Sequence, residues 1–235
     1  MKRSSYKSYV DTLNKISKAI TSDLYLEDIL KLIVTLTANA MRAKICSLWL
    51  LDAKTHELRI RATQAMSKAY LKERILQVGE GIVGLVAKDK KPIQISDVTL
   101  DKRYKEKKLA QSENLISMLS VPMMVKKRVI GVINCYTTIP YTFTKGDVDL
   151  LSAIANQAAV AIENTELMVK TKVIQEELET RKKVEKAKGI ITKEQSLSEE
   201  QAYNLLRKTS MNKRLPMKDI AEAIILSYEV RGNGS

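Results

Sequence analysis

Between Asp147 and about Thr192 the chain has no proline and a single glycine, Gly189. No other stretch restricts the possible folds as tightly. About 45 helical residues rising 1.5 Å each extend about 65 Å, further than one small domain can cover, so the helix has to leave the domain in which it starts. Thr144 is placed to cap it, with Asp147 three residues on supplying a carboxylate to the first turn. Apolar or small residues recur at Leu151, Ile154, Ala158, Ala161, Thr165 and Met168, then at Ile174 and Leu178. This 3-4 alternation fits the seam of a parallel or antiparallel dimer. A helix packed only on its own sheet would leave Met168, Val169, Val173, Ile174 and Leu178 without a partner.

Ahead of that helix the hydrophobic period alternates between helix-like and strand-like. Asp11–Met41 reads as helical with a break around Thr21–Tyr25. Lys44–Leu51 and Leu58–Gln64 read as a hairpin around Asp52–Glu57, and Ser67–Leu76 as a short amphipathic helix. A glycine-punctuated turn, a short helix and a strand at Pro92–Ser96 follow. Asp101–Glu113 is a polar, basic helix or loop, and Ile116–Val125 with Val129–Thr137 forms a second hairpin. This order predicts an α+β domain, a mainly antiparallel sheet with helices packed on it.

A length of 235 residues allows one full domain and a smaller one. The net charge of +13 favours an anionic partner, nucleic acid or a membrane surface, over a merely basic surface. The charge lies in both parts of the chain, so it does not locate the contact. The start, MKRSSYKSYVDTLNK, lacks the apolar core of a signal peptide, and no run of 18 apolar residues is present. A cytoplasmic protein without a membrane partner is expected. Cys46 and Cys135 lie in separate strand-like runs and read as buried free thiols. The tail RGNGS reads as disordered.

Beyond Glu179 the chain reads as three helices. Ser198-Glu-Glu-Gln201 is a capping box, with Leu197 and Ala202 as a hydrophobic staple. Pro216 stands where a first helical residue belongs. Val184, Ala187 and Ile191 form one apolar stripe, Ala202, Leu205, Leu206 and Thr209 a second, and Met217, Ile220, Ala221, Ile224 and Tyr228 a third. Together they make a minimal three-helix core. What stays outside is basic. Lys182, Lys186 and Lys193 share a face with Gly189, where the missing side chain permits close backbone approach, and Lys188 lies beside it. Arg207, Lys208, Lys213 and Arg214 cluster in RKTSMNKR, which contains no acid. Such side chains anchor phosphates, and Arg also stacks on unpaired bases. The reading for the first of these helices is balanced by Glu176, Glu177, Glu179 and Glu185, which make an ordinary solvated face equally open.

Three segments of the first domain, GEGIVGLVAKDKKPIQISDVTLDKRY, SVPMMVKKRVIGVINCYTT and FTKGDVDLLSAIANQAAVAIEN, resemble, in that order, a GAF domain over residues 8–168. The resemblance implies a six-stranded sheet with a small-molecule pocket on one face, and dimerisation through the terminal helices. It names no ligand. The motif of cyclic-nucleotide-binding members is absent, there is no Cys-His pair of the kind that attaches bilins, and His56 sits in the turn DAKTHEL, placed as an exposed residue rather than a haem ligand. Some GAF proteins reduce free methionine sulfoxide with a cysteine, but Cys46 and Cys135 fall within strands rather than on a pocket loop. The run Gly79-Glu-Gly-Ile-Val-Gly84 lacks the Lys-Ser/Thr of a phosphate loop, and its glycines let a turn close against the sheet.

The C-terminal segments AKGII, EEQAYNLLRKTSMNKR and DIAEAII resemble an ANTAR domain over residues 175–228, joined to the first domain by a connecting and dimerisation helix over 147–180. The resemblance implies binding of paired stem-loops in leader RNA, which favours an antiterminator fold over a terminator hairpin. Ala187, Lys188, Gly189, Tyr203, Arg207, Ser210 and Met211 match the motif, Ala187 as helix packing and Tyr203 as a stacking or a core aromatic. Thr192 departs from it. The expected RNA-binding set is Lys182, Lys186, Lys188, Gly189, Lys193, Tyr203, Arg207, Lys208, Ser210, Met211, Lys213 and Arg214. The protein is thus expected to be a homodimeric, non-enzymatic antiterminator without metal or cofactor, its GAF domain open to a small molecule or an upstream signalling protein. The rivals are a DNA-binding GAF regulator, whose three helices would present a recognition helix to a major groove, and a GAF redox enzyme. A sensor kinase is excluded, because the chain has neither a phosphoacceptor histidine on a helix nor a nucleotide-binding domain.

Overall fold

The computed structural model describes residues 2–22, 24–67, 70 and 74–232. It divides into two compact units, Met1–Thr165 and Glu166–Ser235.

The first unit runs α1 (Lys2–Ile20), α2 (Leu26–Ala40), β1 (Ile45–Leu51), β2 (Glu57–Thr63), β3 (Ile75–Gln77), α3 (Gly81–Asp89), β4 (Ile93–Ile95), α4 (Lys107–Ser112), β5 (Met118–Val125), β6 (Arg128–Tyr136) and the beginning of α5 (Lys145–Gln195). The six strands stand in the order β3-β2-β1-β6-β5-β4, and every neighbouring pair is antiparallel. The two hairpins β1–β2 and β5–β6 are local in sequence, and the central pairing of β1 with β6 closes the sheet.

Successive side chains of a strand point to opposite faces, and here both faces are covered. One face packs Cys46, Leu48, Leu119, Val121 and Ile133 against Ile16 of α1, Leu30 and Ile33 of α2, and Leu151, Ile154 and Ala158 of α5. The other packs Trp49, Met118, Val132 and Tyr136 beneath Ile82 and Val86 of α3, with Tyr70 and Tyr104. Burial on both sides is why KICSLWLL and VIGVINCY are continuous apolar runs rather than alternating ones. The Gly79–Gly84 turn closes against the sheet as its glycines suggest. Gly79 and Gly81 have φ of +90° and +62°, and a Cβ on Gly84 would lie 2.3 Å from the Gln77 carbonyl oxygen.

α5 opens on a reciprocal cap. Thr144 Oγ1 accepts from the Asp147 N–H at 3.2 Å, while the Asp147 carboxylate accepts from the Thr144 N–H and Oγ1, both at 2.8 Å. The hydroxyls of Tyr9 and Tyr141 donate to the same carboxylate at 3.1 and 3.0 Å. Burial pushes the Asp147 pKa up, but these hydrogen bonds outweigh it and hold the carboxyl below its ordinary value.

Two expectations for the first unit and the helix that leaves it change. Of the helix placed at Ser67–Leu76, residues 68, 69 and 71–73 lie outside the described residues, while Ile75–Gln77 is the edge strand β3, paired to Glu57–Arg59. Three residues are too few to show a period in sequence. The proposed seam also divides. Leu151, Ile154, Ala158 and Ala161 are buried in their own domain, so the regular 3-4 alternation there serves the monomer's core. Leu167, Met168, Val169, Val173, Ile174 and Leu178 stay exposed.

The second unit consists of the rest of α5, α6 (Glu199–Lys213) and α7 (Met217–Gly232). Its core is Val184, Ala187 and Ile191 from α5, Ala202 and Leu206 from α6, and Ile220 and Ala221 from α7, with Leu197, Met217 and Ile224 packed at the margin. Leu205, expected in this core, is 37% exposed, since it falls on the flank of the stripe. Ser198 caps α6. Its Oγ accepts from the Gln201 N–H at 3.2 Å and Gln201 Oε1 accepts from the Ser198 N–H at 2.9 Å. α5 runs to Gln195, three residues past the expected end. The last residues of RGNGS, 233–235, lie outside the described residues.

Candidate nucleic-acid interface

Along α6, residues three, four and seven apart lie above one another. Tyr203, Arg207 and Ser210 therefore stand in one line that ends at Arg214, the left-handed C-cap with φ of +54°. Tyr203 is 43% and Met211 69% exposed. Arg207, Lys208, Lys213 and Arg214 are exposed, and among the described residues none of the four has an ion pair. The N–H of Leu215 donates to the Ser210 carbonyl at 3.2 Å, and Ser210 Oγ donates to the Leu215 carbonyl at 2.6 Å. The hydroxyl of Ser210, expected among the contact residues, is thus engaged in holding the turn that presents Arg214.

The basic residues of α5 are arranged differently. Lys186 Nζ lies 2.7 Å from Glu229 of α7. Lys188 is folded inward, its side chain 14% exposed, with Nζ 2.7 Å from Glu185 and 3.1 Å from Glu199. Its hydrogen bond to Glu185, then that to Glu199, raises its pKa. Lys183 pairs with Glu222, a partnership that sequence reading missed because the acid is 39 residues away. Lys182 and Lys193 are exposed and, among the described residues, have no ion pair. Gly189 stands between them on the same exposed face, in mid-helix, and a Cβ built on it meets nothing within 4 Å. No packing in the unit requires glycine there. Tyr203 faces α5 across a groove of about 520 Å³ whose walls include Thr180, Arg181, Val184 and Met217.

The first unit buries a polar cluster on the sheet face beneath α3. Ser47, Asn134 and Ser120 are in register across β1, β6 and β5, and all three are fully buried. Ser120 Oγ donates to Asn134 Oδ1 at 2.6 Å, and Ser47 Oγ accepts from the Tyr70 hydroxyl at 3.0 Å and from Trp49 Nε1 at 3.3 Å. Asn134 Nδ2 is buried without a partner. Arg74 lies over the Tyr70 ring at 4.5 Å and is ion-paired with Glu106, while burial drives the Tyr104 hydroxyl up to about 12.

The thiols of Cys46 and Cys135 are paired in register on the opposite, helix-covered face, and both are fully buried. Burial, then the neighbouring Cys135, pushes the Cys46 thiol well above its ordinary value, which disfavours the nucleophilic thiolate. His56 is an exposed turn residue with φ of +58°. Among the described residues no group of three or more His, Cys, Asp or Glu is placed to hold a metal, and no helix is long and apolar enough to cross a membrane.

A family model described as GAF domain matches residues 25–162, and one described as ANTAR domain matches residues 172–225. The chain is 26% identical over 155 residues to the transcriptional regulatory protein PdtaR of Mycobacterium tuberculosis (strain CDC 1551 / Oshkosh), covering 63% of this chain and 73% of that one. It is 25% identical over 155 residues to the phosphoenolpyruvate-dependent phosphotransferase system protein of Escherichia coli (strain K12); the match takes in 66% of this chain but spans only 21% of that protein's length. Among solved structures it is similar to the GAF domain of an Acinetobacter phosphoenolpyruvate-protein phosphotransferase, with TM-score 0.60 and 25% identity over 69% of this chain and 97% of that one.

Proposed function

Since this chain belongs to the GAF domain family and carries an ANTAR domain behind it, we propose that it is a signal-responsive regulator that binds paired stem-loops in leader RNA and prevents a terminator hairpin from forming. One observation carries this reading. The cations of Arg207–Arg214 are all exposed and have no ion-pair partner among the described residues, and two of them, Arg207 and Arg214, line up with Tyr203 along α6. Lys183, Lys186 and Lys188 are instead taken up by Glu222, Glu229, Glu185 and Glu199. The RNA site therefore centres on α6 and its C-cap, with Lys182, Gly189 and Lys193 contributing from α5. Ser210 acts by holding the turn that presents Arg214, and Lys188 by tying α5 to Glu199 of α6.

The protein acts as a homodimer. Leu167 and Ile174, and Thr171 and Leu178, each stand seven residues apart on one side of α5, and the three apolar members are 53%, 63% and 51% exposed. A heptad stripe of this kind is covered by a second copy of itself. A ligand or partner at the GAF sheet shifts the register of the paired helices, and so sets whether two ANTAR units grip two stem-loops together. Glycines inserted beside Lys170 should abolish the response of RNA affinity to that signal. An unaltered response would rule out transmission along α5.

The deciding experiment is a competition between tandem RNA hairpins and duplex DNA for the full chain, with sequencing of RNA that co-purifies with it. Recovery of repeated small stem-loops ahead of a terminator, and preference for RNA, are expected. Preference for the duplex would give the site to the DNA-binding reading.

A further inference from the structure

The first unit carries a strip of cations that the reading above leaves unused. Residues 79–91, 101–108 and 126–127 hold ten Lys or Arg against four Asp or Glu. The fold gathers them. Lys90, the left-handed C-cap of α3, donates through Nζ to the Lys127 carbonyl at 3.0 Å. The end of α3 is thereby tied to the β5–β6 turn, and Lys90 and Lys91 stand beside Lys126 and Lys127. At the other end of α3 a Cβ on Gly81 would lie 3.3 Å from Lys105 Cγ, and one on Gly79 would lie 3.5 Å from Lys88 Cδ. Lys88 thus leans back along the helix toward Lys105. All six of these lysines are exposed, and among the described residues none has an ion pair. Of the four acids, Glu106 is paired with Arg74 and Asp101 with Arg103, while Glu80 accepts from the Gln77 N–H. Among the described residues Asp89 has no ion pair to set against the strip. Nine residues of α3 rise about 13 Å, long enough to follow several phosphates of one strand.

We infer that this strip is a second RNA-contacting surface, which holds the phosphodiester backbone flanking the stem-loops without reading sequence. The inference rests on RNA binding by the ANTAR unit. Tyr104, the aromatic within the strip's segments, is buried, and unpaired lysines with no exposed aromatic beside them among the described residues supply positional, salt-sensitive affinity and no base readout. An anionic membrane is the competing polyanion. A lone exposed leucine, Leu100, borders the strip, and no exposed large apolar side chain among the described residues falls within the three segments, so the strip lacks the broad apolar face that interfacial binding uses.

The test compares wild-type protein with the quadruple variant Lys90→Gln, Lys91→Gln, Lys126→Gln and Lys127→Gln, and with Arg207→Gln/Lys208→Gln, on two RNAs. One is a minimal tandem stem-loop and the other carries a long single-stranded flank. Unchanged melting and near-ultraviolet dichroism from Trp49 confirm that the variants fold. On the flanked RNA the quadruple variant should bind at least tenfold more weakly at low salt. Its slope of log affinity against log salt should shrink by about 3, at ~0.7 for each single-strand phosphate that is no longer neutralised. On the minimal RNA it should match wild type, whereas the Arg207/Lys208 variant should weaken on both. A quadruple variant that binds both RNAs like wild type refutes the second surface and leaves the ANTAR site standing. The same result with abolished binding to phosphatidylserine vesicles assigns the strip to lipid. A wild-type protein that binds neither RNA overturns both readings together.

Discussion

Gly189→Ala should stabilise the protein and weaken it as an RNA binder, and the opposite signs make the test sharp. Glycine in a helix interior costs about 1 kcal/mol relative to alanine, through backbone entropy lost on folding. Here the structure removes the usual offsets. Gly189 is not among the residues with positive φ, and a Cβ would meet nothing within 4 Å. The full propensity difference of about 1 kcal/mol should therefore appear as added stability of the second unit, equivalent to a rise of about 4–8 °C in melting for a unit of this size. Hydrogen exchange of the amides around Ile190 and Ile191 in the full chain reads it locally, as slower exchange by about fivefold. If RNA approaches the bare backbone between Lys182 and Lys193, the same methyl group intrudes on that approach. A drop of about tenfold in affinity, worth about 1.4 kcal/mol, is expected in a filter-binding titration at fixed salt. Unchanged affinity together with increased stability would show that nothing approaches Gly189, and would remove it from the site. Decreased stability would contradict the open space found beside it.

Replacing both Ile174 and Leu178 with glutamine should convert a dimer to a monomer in analytical ultracentrifugation, with the far-ultraviolet spectrum kept; a dimer that persists would place the interface elsewhere. Ser198→Ala breaks half of the capping box and should cost about 1 kcal/mol of α6 stability, seen as faster exchange at Gln201 and Ala202, and equal exchange would mean that the cap contributes nothing. The lowered pKa of Asp147 means that its stabilisation is complete above its unfolded value of about 3.9 and is lost as pH falls through the lower folded value. Asp147→Asn should therefore cost about 1–3 kcal/mol at pH 7, and this deficit against wild type should shrink as pH falls below about 3.9, as read by denaturant titration. A deficit that does not change with pH would show that charge at this position is irrelevant.

The C-terminal unit was legible because its determinants are local. A capping box joins residues three apart, helical stripes repeat every three or four residues, and Pro216 sits at its start. The two hairpins of the first unit were legible for the same reason. β3 was not, since three residues on a sheet edge acquire their conformation from pairing with β2 and not from their own pattern.

The amino-acid order by itself determined an α+β domain, a helix too long for that domain, and three apolar stripes, one on the far end of that helix and two on the helices after it, the first of which opens on a capping box. It also left one segment, Arg207–Arg214, free of acid. Only the tertiary structure decided which cations remain available and what covers each apolar stripe. Lys183 and Lys186 meet carboxylates 39 and 43 residues away on α7, a distance at which no local spacing rule applies. Leu151, Ile154 and Ala158 show the same 3-4 alternation as a dimer seam, yet they close on β-strands of their own chain. A helix displays its apolar face whatever will cover it, and the partner is chosen by contacts that exist only once the chain has folded.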